Sequence, residues 1–106
     1  SPHHKSEKYM PKGYWIAHGD VSDPEGYKAY KAANAAPFVA FGARFVVRGG
    51  EQTLEEGTAR SRTVVIEFPS IEAAYACYNS AEYQAAKALR EPIALTDLVI
   101  VEGYDG

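Results

Sequence analysis

The chain has 106 residues, of which 46% are hydrophobic and 24% charged, and its formal net charge is −3 at pH 7. These values are typical of one globular domain and argue against a strongly basic nucleic-acid-binding protein or a partner of anionic membranes. Because no apolar run is long enough to span a bilayer and Cys77 is the single cysteine, we expect a cytoplasmic protein without an intramolecular disulfide.

Residues 1–9 are polar and include His3 and His4. We interpret them as a disordered extension or the remnant of an expression tag, so the predicted domain covers residues 10–106. The two histidines could bind a metal adventitiously, but no functional metal site is predicted there.

The first half of the chain predicts a strand followed by a helix. Alternating residues indicate a strand from Gly13 to Val21, and Asp23 and Pro24 are typical of a helix N-terminus. We expect the helix to run to about Phe41, to be bent or broken at Pro37 and to be terminated by Gly42. Its predicted inner face comprises Tyr27, Tyr30, Asn34, Phe38 and Phe41.

The middle of the chain predicts a hairpin with a long polar loop. Strands are expected at residues 43–48 and 62–68, with Arg44 opposite Glu67 and Arg48 opposite Thr63.

The last third predicts two consecutive helices and a strand. Ser70 and Ser80 are the expected N-caps, the second helix runs to Arg90 and is ended by Pro92, and the final strand covers Leu98 to Glu102.

This order of elements predicts an α+β fold, a ferredoxin-like βαββαβ arrangement with a four-stranded antiparallel sheet and the helices on one face. Alternation assigns one set of residues to the helix-facing side: Trp15, Ala17, Phe45, Val47, Val64, Ile66 and Phe68. The opposite side receives Tyr14, Ile16, His18, Asp20, Arg44, Val46, Arg48, Thr63, Val65 and Glu67. Apolar side chains on that mixed face predict that a second subunit covers it, which makes a homodimer with a barrel-like interior.

Several sequence blocks together resemble one known family: residues 13–17 (GYWIA), 23–27 (DPEGY), 44–50 (RFVVRGG), 64–70 (VVIEFPS), 78–84 (YNSAEYQ) and 101–103 (VEG). The chain is similar, over residues 10–106, to the family called domain of unknown function 1330. The resemblance implies a dimeric alpha/beta barrel, whose superfamily includes small monooxygenases, isomerases and dehydratases that bind small molecules. It implies no particular reaction, and His18 departs from the residue expected at its position.

The candidate site lies on the mixed face. Arg48 is the first candidate for substrate binding, because a guanidinium suits a carboxylate or enolate and Gly49 and Gly50 leave room beside it. The alternative is that Arg48 pairs with Glu67 or with a carboxylate of the second subunit. Arg44 is a further candidate for substrate binding, although a structural role is favoured. Glu67 is a candidate general base if burial raises its pKa, or a salt-bridge partner if an arginine keeps it ionised.

The other candidates lie on the first strand and the first helix. His18 and Asp20 share a face and could form a base and its orienting partner, with His18 the second catalytic candidate. Asn34 could face the ligand or solvent. A metal site made of His18, Asp20 and Glu67 would need a favourable register and is not predicted, and no cofactor is predicted, since Gly49 and Gly50 lack the context of a phosphate-binding loop.

Two hypotheses on function remain open. The first is a cofactor-independent enzyme that transfers protons on a small carbonyl or carboxylate compound, with Arg48 binding the anion and Glu67 or His18 moving the proton. The second is a non-catalytic dimeric module that binds a small molecule or a protein.

Overall fold

The computed structural model describes residues 11–104, so the predicted extension at residues 1–9 lies outside the described part of the chain. The predicted α+β, ferredoxin-like arrangement is confirmed. The elements in chain order are β1 (Gly13–Val21), α1 (Pro24–Ala40), β2 (Arg44–Arg48), β3 (Arg62–Phe68), α2 (Ile71–Asn79), α3 (Ala81–Arg90) and β4 (Ala94–Glu102). No helix within residues 11–104 combines the length and the apolar character needed to cross a membrane.

The four strands form one antiparallel sheet in the order β2-β3-β1-β4, and the three helices lie on one of its faces. We call the opposite side the outer face. Helix α2 packs on β1, β3 and β4, whereas α1 packs mainly against α3 and stands further from the sheet. This unequal seating leaves space between α1 and the strands.

The three predicted helix N-caps are confirmed. An Asp23 carboxylate oxygen accepts a hydrogen bond from the Gly26 amide at 3.2 Å. The hydroxyl oxygens of Ser70 and Ser80 accept from the amides of Ala73 and Tyr83 at 3.0 and 3.2 Å. Each cap satisfies an amide that has no partner within its own helix, which explains why the elements begin where they do.

Pro37 does not break helix α1, which continues to Ala40. A proline this close to the C-terminus removes one helical hydrogen bond and leaves only three residues beyond it. Gly42 ends the segment as expected, because its φ of +74° favours glycine and its amide donates to the Val39 carbonyl at 3.2 Å.

Strand β4 begins at Ala94, so the predicted start at Leu98 is wrong. The early residues of the strand pair with the end of β1, as far as Ala94 opposite Val21. The first half of this strand contains polar residues, which weaken the apolar alternation that predicts a strand. Thr96 faces the helices, and Asp97 lies on the outer face, where Arg60 Nε donates to it at 2.8 Å.

A β-bulge interrupts the pairing of β2 with β3. Arg44 lies opposite Glu67 as predicted, but Val47 lies opposite Val65 and Arg48 opposite Val64. The extra residue reverses the alternation of side chains after Phe45. The predicted faces of Val47 and Arg48 are therefore wrong: Val47 lies on the outer face and Arg48 on the helix-facing side.

The core is built around Trp15 in the central strand β1. Its indole N–H donates to the Ala74 carbonyl of α2 at 3.0 Å. Its ring packs edge-on against Phe38 of α1 and Tyr83 of α3, with centroid distances of 5.3 and 4.8 Å. Edge-to-face contacts of this kind add to the free energy gained from burial.

Gly13 marks the closest approach of the sheet to a helix. A Cβ atom on Gly13 would lie 2.7 Å from both the Ile71 Cα and the Ser70 carbonyl oxygen, whereas a Cβ on Gly50 would have no atom within 4 Å. We expect Gly13→Ala to lower the free energy of unfolding by about 1 to 3 kcal/mol, because backbone must move to admit the methyl group. Gly50→Ala should leave it unchanged or raise it by up to about 1 kcal/mol. Urea titrations of both variants test this, and equal stability would contradict the packing described.

Candidate functional site

A cleft opens between helix α1 and the helix-facing side of the sheet. Its cavity volume is about 50 Å³, and it is partly open to solvent. Helix α1 forms one wall with residues that share one helical face, and α3 adds one residue from its last turn. The side chains that the helices contribute are Tyr27, Tyr30, Lys31, Asn34, Phe38 and Arg90.

The sheet forms the other wall and the floor. Most of its contribution is apolar, from residues such as Trp15, Ala17 and Leu98, but Arg48 of β2 and Arg62 of β3 also line the cleft. With Lys31 and Arg90 from the helices, four cationic side chains face this space. No aspartate or glutamate within residues 11–104 lines it, so the cleft favours an anion.

Arg90 is the most buried of these cations, with 6% of its surface exposed. Its Nη2 donates to the Tyr83 hydroxyl at 3.3 Å, and its guanidinium lies over the Tyr30 ring, 5.5 Å from the centroid. The Tyr30 and Tyr83 hydroxyl oxygens are 2.8 Å apart and share a hydrogen bond. Burial raises the pKa of Tyr83, so this hydroxyl stays neutral and does not compensate the charge of Arg90.

Arg48 and Arg62 enter the cleft from the adjacent strands β2 and β3. The Arg48 guanidinium carbon lies 4.1 Å from the centroid of the Phe45 ring, and that of Arg62 lies 5.8 Å from the centroid of the Tyr27 ring. The Arg62 guanidinium reaches beside Gly49, next to Arg48 in the chain. The Arg62 Nε is buried and has no hydrogen-bond partner among residues 11–104.

Asn34 lies in the wall formed by α1, with 5% of its surface exposed. Within the described residues its side-chain amide makes no hydrogen bond. Its amide is therefore free to donate to or accept from a ligand in the cleft.

Glu67 and Arg44 lie together on the outer face. The Tyr14 hydroxyl donates to Glu67 Oε2 at 3.0 Å, and Arg44 donates to Oε1 from Nε at 3.2 Å and from Nη2 at 3.1 Å. The hydrogen bond from Tyr14 and then that from Arg44 hold the pKa of Glu67 below its ordinary value, although partial burial opposes them. Glu67 is thus an ionised, fully partnered carboxylate, which fits its predicted alternative as a salt-bridge partner.

Asp20 and His18 also belong to the outer face. Asp20 accepts hydrogen bonds from the Ser61 amide at 2.9 Å and the Ser61 hydroxyl at 2.8 Å, and Arg60 Nη1 donates to it at 3.2 Å. These bonds lower the pKa of Asp20, with the Ser61 amide the main cause. His18 is aligned with Thr63 and Asp97 on the neighbouring strands. Asp20 therefore anchors the end of the long loop.

The structure divides the predicted site residues between two faces of the sheet. Arg48 and Asn34 line the cleft, whereas Arg44, Glu67, His18 and Asp20 do not. Arg48 is therefore not a partner of Glu67 within the chain, and neither Glu67 nor His18 reaches a ligand in the cleft. Catalytic roles for these two stay predictions that require a ligand on the outer face.

Three cationic residues that line the cleft were not among the predicted site residues, although their spacing in the sequence indicates which face they lie on. Arg62 alternates with Val64 and Ile66, which places it on the helix-facing side. Lys31 follows Tyr27 by four residues on α1, and Arg90 follows Tyr83 by seven on α3, so each shares a face with a core aromatic. Within residues 11–104, no group of three His, Cys, Asp or Glu side chains is placed to hold a metal ion.

Comparison with known proteins identifies one family model, described as domain of unknown function (DUF1330), which matches residues 12–104. No curated protein matches the chain. Among solved structures, a protein of unknown function from Rhodopseudomonas palustris is similar at 16% identity and a TM-score of 0.71, with 99% of this chain and 93% of that chain covered.

Two further structures share the fold. SnoaB, a cofactor-independent oxygenase from Streptomyces nogalater, is 10% identical with a TM-score of 0.61, and the alignment covers 92% of this chain and 97% of that chain. A dimeric ferredoxin-like protein of unknown function from Thermobifida fusca is 17% identical with a TM-score of 0.57, covering 89% and 91%. At these identities the likeness establishes the fold alone.

The lowered pKa of Glu67 predicts a pH-dependent contribution to stability. A carboxylate whose pKa is lower in the folded than in the unfolded chain stabilises the fold above its unfolded value, near 4.5, and this contribution is lost as the pH falls through the folded pKa. Glu67→Gln should therefore lower the free energy of unfolding by about 1 kcal/mol at pH 7, with the difference from wild type shrinking toward pH 3. Glu51 is a matched control, since it is an exposed loop carboxylate with no ion pair among the described residues. Urea denaturation at pH 7 and pH 3 measures both, and a Glu67→Gln effect independent of pH would contradict the assignment.

Proposed function

We propose that this chain, which belongs to the domain of unknown function 1330 family, binds a small carbonyl or carboxylate compound in the cleft and transfers protons on it without a cofactor. The proposal depends on one observation, the distribution of unpaired positive charge. It assigns the ligand to the space between α1 and the sheet within a single chain.

Nine lysine and arginine residues lie within residues 11–104. Five of them have a carboxylate within 4 Å: Lys12, Lys28, Arg44, Arg60 and Lys87. The four others lack such a carboxylate among the described residues, and all four line the cleft. Lys31 and Arg48 are exposed, but Arg62 is half-buried and Arg90 is buried. Leaving those two without a counter-charge costs folding free energy, which an anionic ligand recovers.

The chemistry follows from the groups that face the ligand. Guanidinium groups bind a carboxylate through paired hydrogen bonds and stabilise the negative charge that an enolate carries. The linked Tyr30 and Tyr83 hydroxyls supply a proton donor next to Arg90. This arrangement lowers the free energy of an enolate and returns a proton to it, while solvent removes the first proton. SnoaB, described as a cofactor-independent oxygenase, supports the proposal that this fold carries chemistry without a cofactor.

A second candidate function is binding without catalysis. It is favoured by the side chains that line the cleft, since no carboxylate or imidazole among residues 11–104 is placed there as a strong base. The experiment below separates the two candidates because it follows binding and proton transfer in one sample.

Pyruvate in deuterated buffer tests the proposal, since it carries both a carbonyl and a carboxylate. Wild-type protein should accelerate exchange of the methyl protons for deuterium, measured by NMR. Arg48→Ala should weaken pyruvate binding and slow exchange at least tenfold, because a charge-assisted hydrogen bond contributes about 1.5 to 3 kcal/mol.

Arg60→Ala is the matched control, because Arg60 pairs with Asp20 and Asp97 outside the cleft. It should retain wild-type exchange. Pyruvate binding without exchange would support the non-catalytic candidate, and binding that survives Arg48→Ala would overturn the cleft as the anion site.

The outer face is proposed to pair with the same face of a second copy. Large apolar side chains lie exposed there on β2 and β4: Val46, Val47, Leu95, Val99 and Val101. Apolar surface of this kind gains free energy when a second chain excludes water from it. The dimeric neighbour from Thermobifida fusca supports a two-fold assembly on this fold.

Dimerisation is tested by placing a charge within that face. Val99 lies opposite Ile16 of β1 and is 57% exposed, so Val99→Glu should convert a dimer at micromolar concentration into a monomer in sedimentation velocity. Val39→Glu is the matched control, because Val39 is 80% exposed on helix α1 and should leave the dimer intact. A wild-type monomer, or a dimer insensitive to Val99→Glu, would contradict the proposed interface.

A further inference from the structure

The unpaired cations enter the cleft from two different sides. Arg48 and Arg62 come from the adjacent strands β2 and β3, whereas Arg90 comes from the last turn of α3. The rings of Tyr27 and Tyr30 pack against each other at a centroid distance of 5.1 Å. Arg62 lies over the first ring and Arg90 over the second, so each guanidinium contacts a different ring of the pair.

The side at Arg90 is a buried anion position. The guanidinium donates to the neutral Tyr83 hydroxyl, and no carboxylate of the described chain pairs with it. Asn34, on the same helix face as Tyr30, presents a side-chain amide that makes no hydrogen bond among the described residues. A buried charge with neutral partners only is costly, and a carboxylate placed against it removes that cost.

The side at Arg62 is a second position where a guanidinium lacks a carboxylate partner among the described residues. The Arg62 Nε is buried without a hydrogen-bond partner in the described part of the chain, and the neighbouring Arg48 has no ion pair there. Lys31, one helical turn after Tyr27, adds a further positive charge to the cleft.

Building on the proposed function of the cleft, we infer that its ligand carries two separate acidic groups, one bound at Arg90 and one at Arg48 and Arg62. A single carboxylate has two oxygens and satisfies one of these positions, leaving the other guanidinium without a counter-charge. A dicarboxylate that spans the tyrosine pair satisfies both. The apolar floor at Trp15 and Leu98 suits the carbon skeleton that joins the two acids.

The test compares diacids with their own monomethyl esters, which keep the skeleton and remove one charge. Glutarate, adipate and isophthalate are titrated by calorimetry at pH 7 in parallel with the three monoesters. For the skeleton of the right length, the diacid should bind at least tenfold more tightly than its monoester. Inorganic phosphate, which places two charges on one group, should bind no better than a monoester.

Variants assign the preference to the two positions. Arg90→Gln should reduce the diacid preference to less than threefold, because it removes the guanidinium of one position. Arg48→Gln combined with Arg62→Gln should do the same, because the double change removes both guanidinium groups of the other position. Arg60→Gln removes a cation outside the cleft and should keep the full preference. Since Arg90 is buried, circular dichroism checks that Arg90→Gln folds. The double variant at Arg48 and Arg62, which are less buried than Arg90, provides the same comparison independently.

The outcomes separate this inference from the function on which it rests. If monoesters bind as tightly as diacids and Arg48→Ala weakens both, the cleft binds single anions and the two-acid ligand is wrong. Phosphate binding as tight as the best diacid would also overturn it, because one doubly charged group would then suffice. If no acid binds, or binding is indifferent to Arg48→Ala, the proposed function itself fails.

Discussion

The indole of Trp15 is the interaction on which the rest of the structure depends. Its N–H holds the Ala74 carbonyl of α2, and its ring packs against Phe38 of α1 and Tyr83 of α3. One side chain of the central strand thereby positions all three helices. Because Tyr83 is fixed in this way, the hydroxyl that holds Arg90 is fixed as well, and the cationic wall of the cleft is a consequence of core packing.

The bulge in β2 is the second constraint, and it decides which side of the sheet carries Arg48. Regular pairing would have kept Arg48 on the outer face with Arg44. One extra residue after Phe45 moves Arg48 to the helix-facing side, where no carboxylate of the described chain is available to it. The same backbone irregularity that shortens the regular part of an edge strand thus adds a cation to the cleft.

The sequence predicted the elements well because their signals are local. Asp23, Ser70 and Ser80 are caps that act within one helical turn, and Gly42 stops a helix through its own φ angle. The face of Arg48 could not be predicted in this way, since a bulge depends on how two strands twist against each other and Arg44 to Arg48 alternate regularly. The sequence analysis also placed Arg48 and Glu67 on the same face of the sheet, whereas the fold places Arg48 in the cleft and Glu67 on the outer face.

The two faces of the sheet use charge in opposite ways, and this contrast is the strongest argument for a ligand. On the outer face the Glu67 carboxylate is paired within the chain, with Tyr14, Arg44 and Lys12. A second copy can therefore cover that carboxylate without leaving it unpaired. In the cleft, by contrast, Arg90 pairs only with a neutral hydroxyl and an aromatic ring among the described residues. Of the nine described lysines and arginines, five pair with carboxylates and the four others line the cleft. For the half-buried Arg62 and the buried Arg90 this lowers stability, which is the physical basis for proposing an anionic ligand.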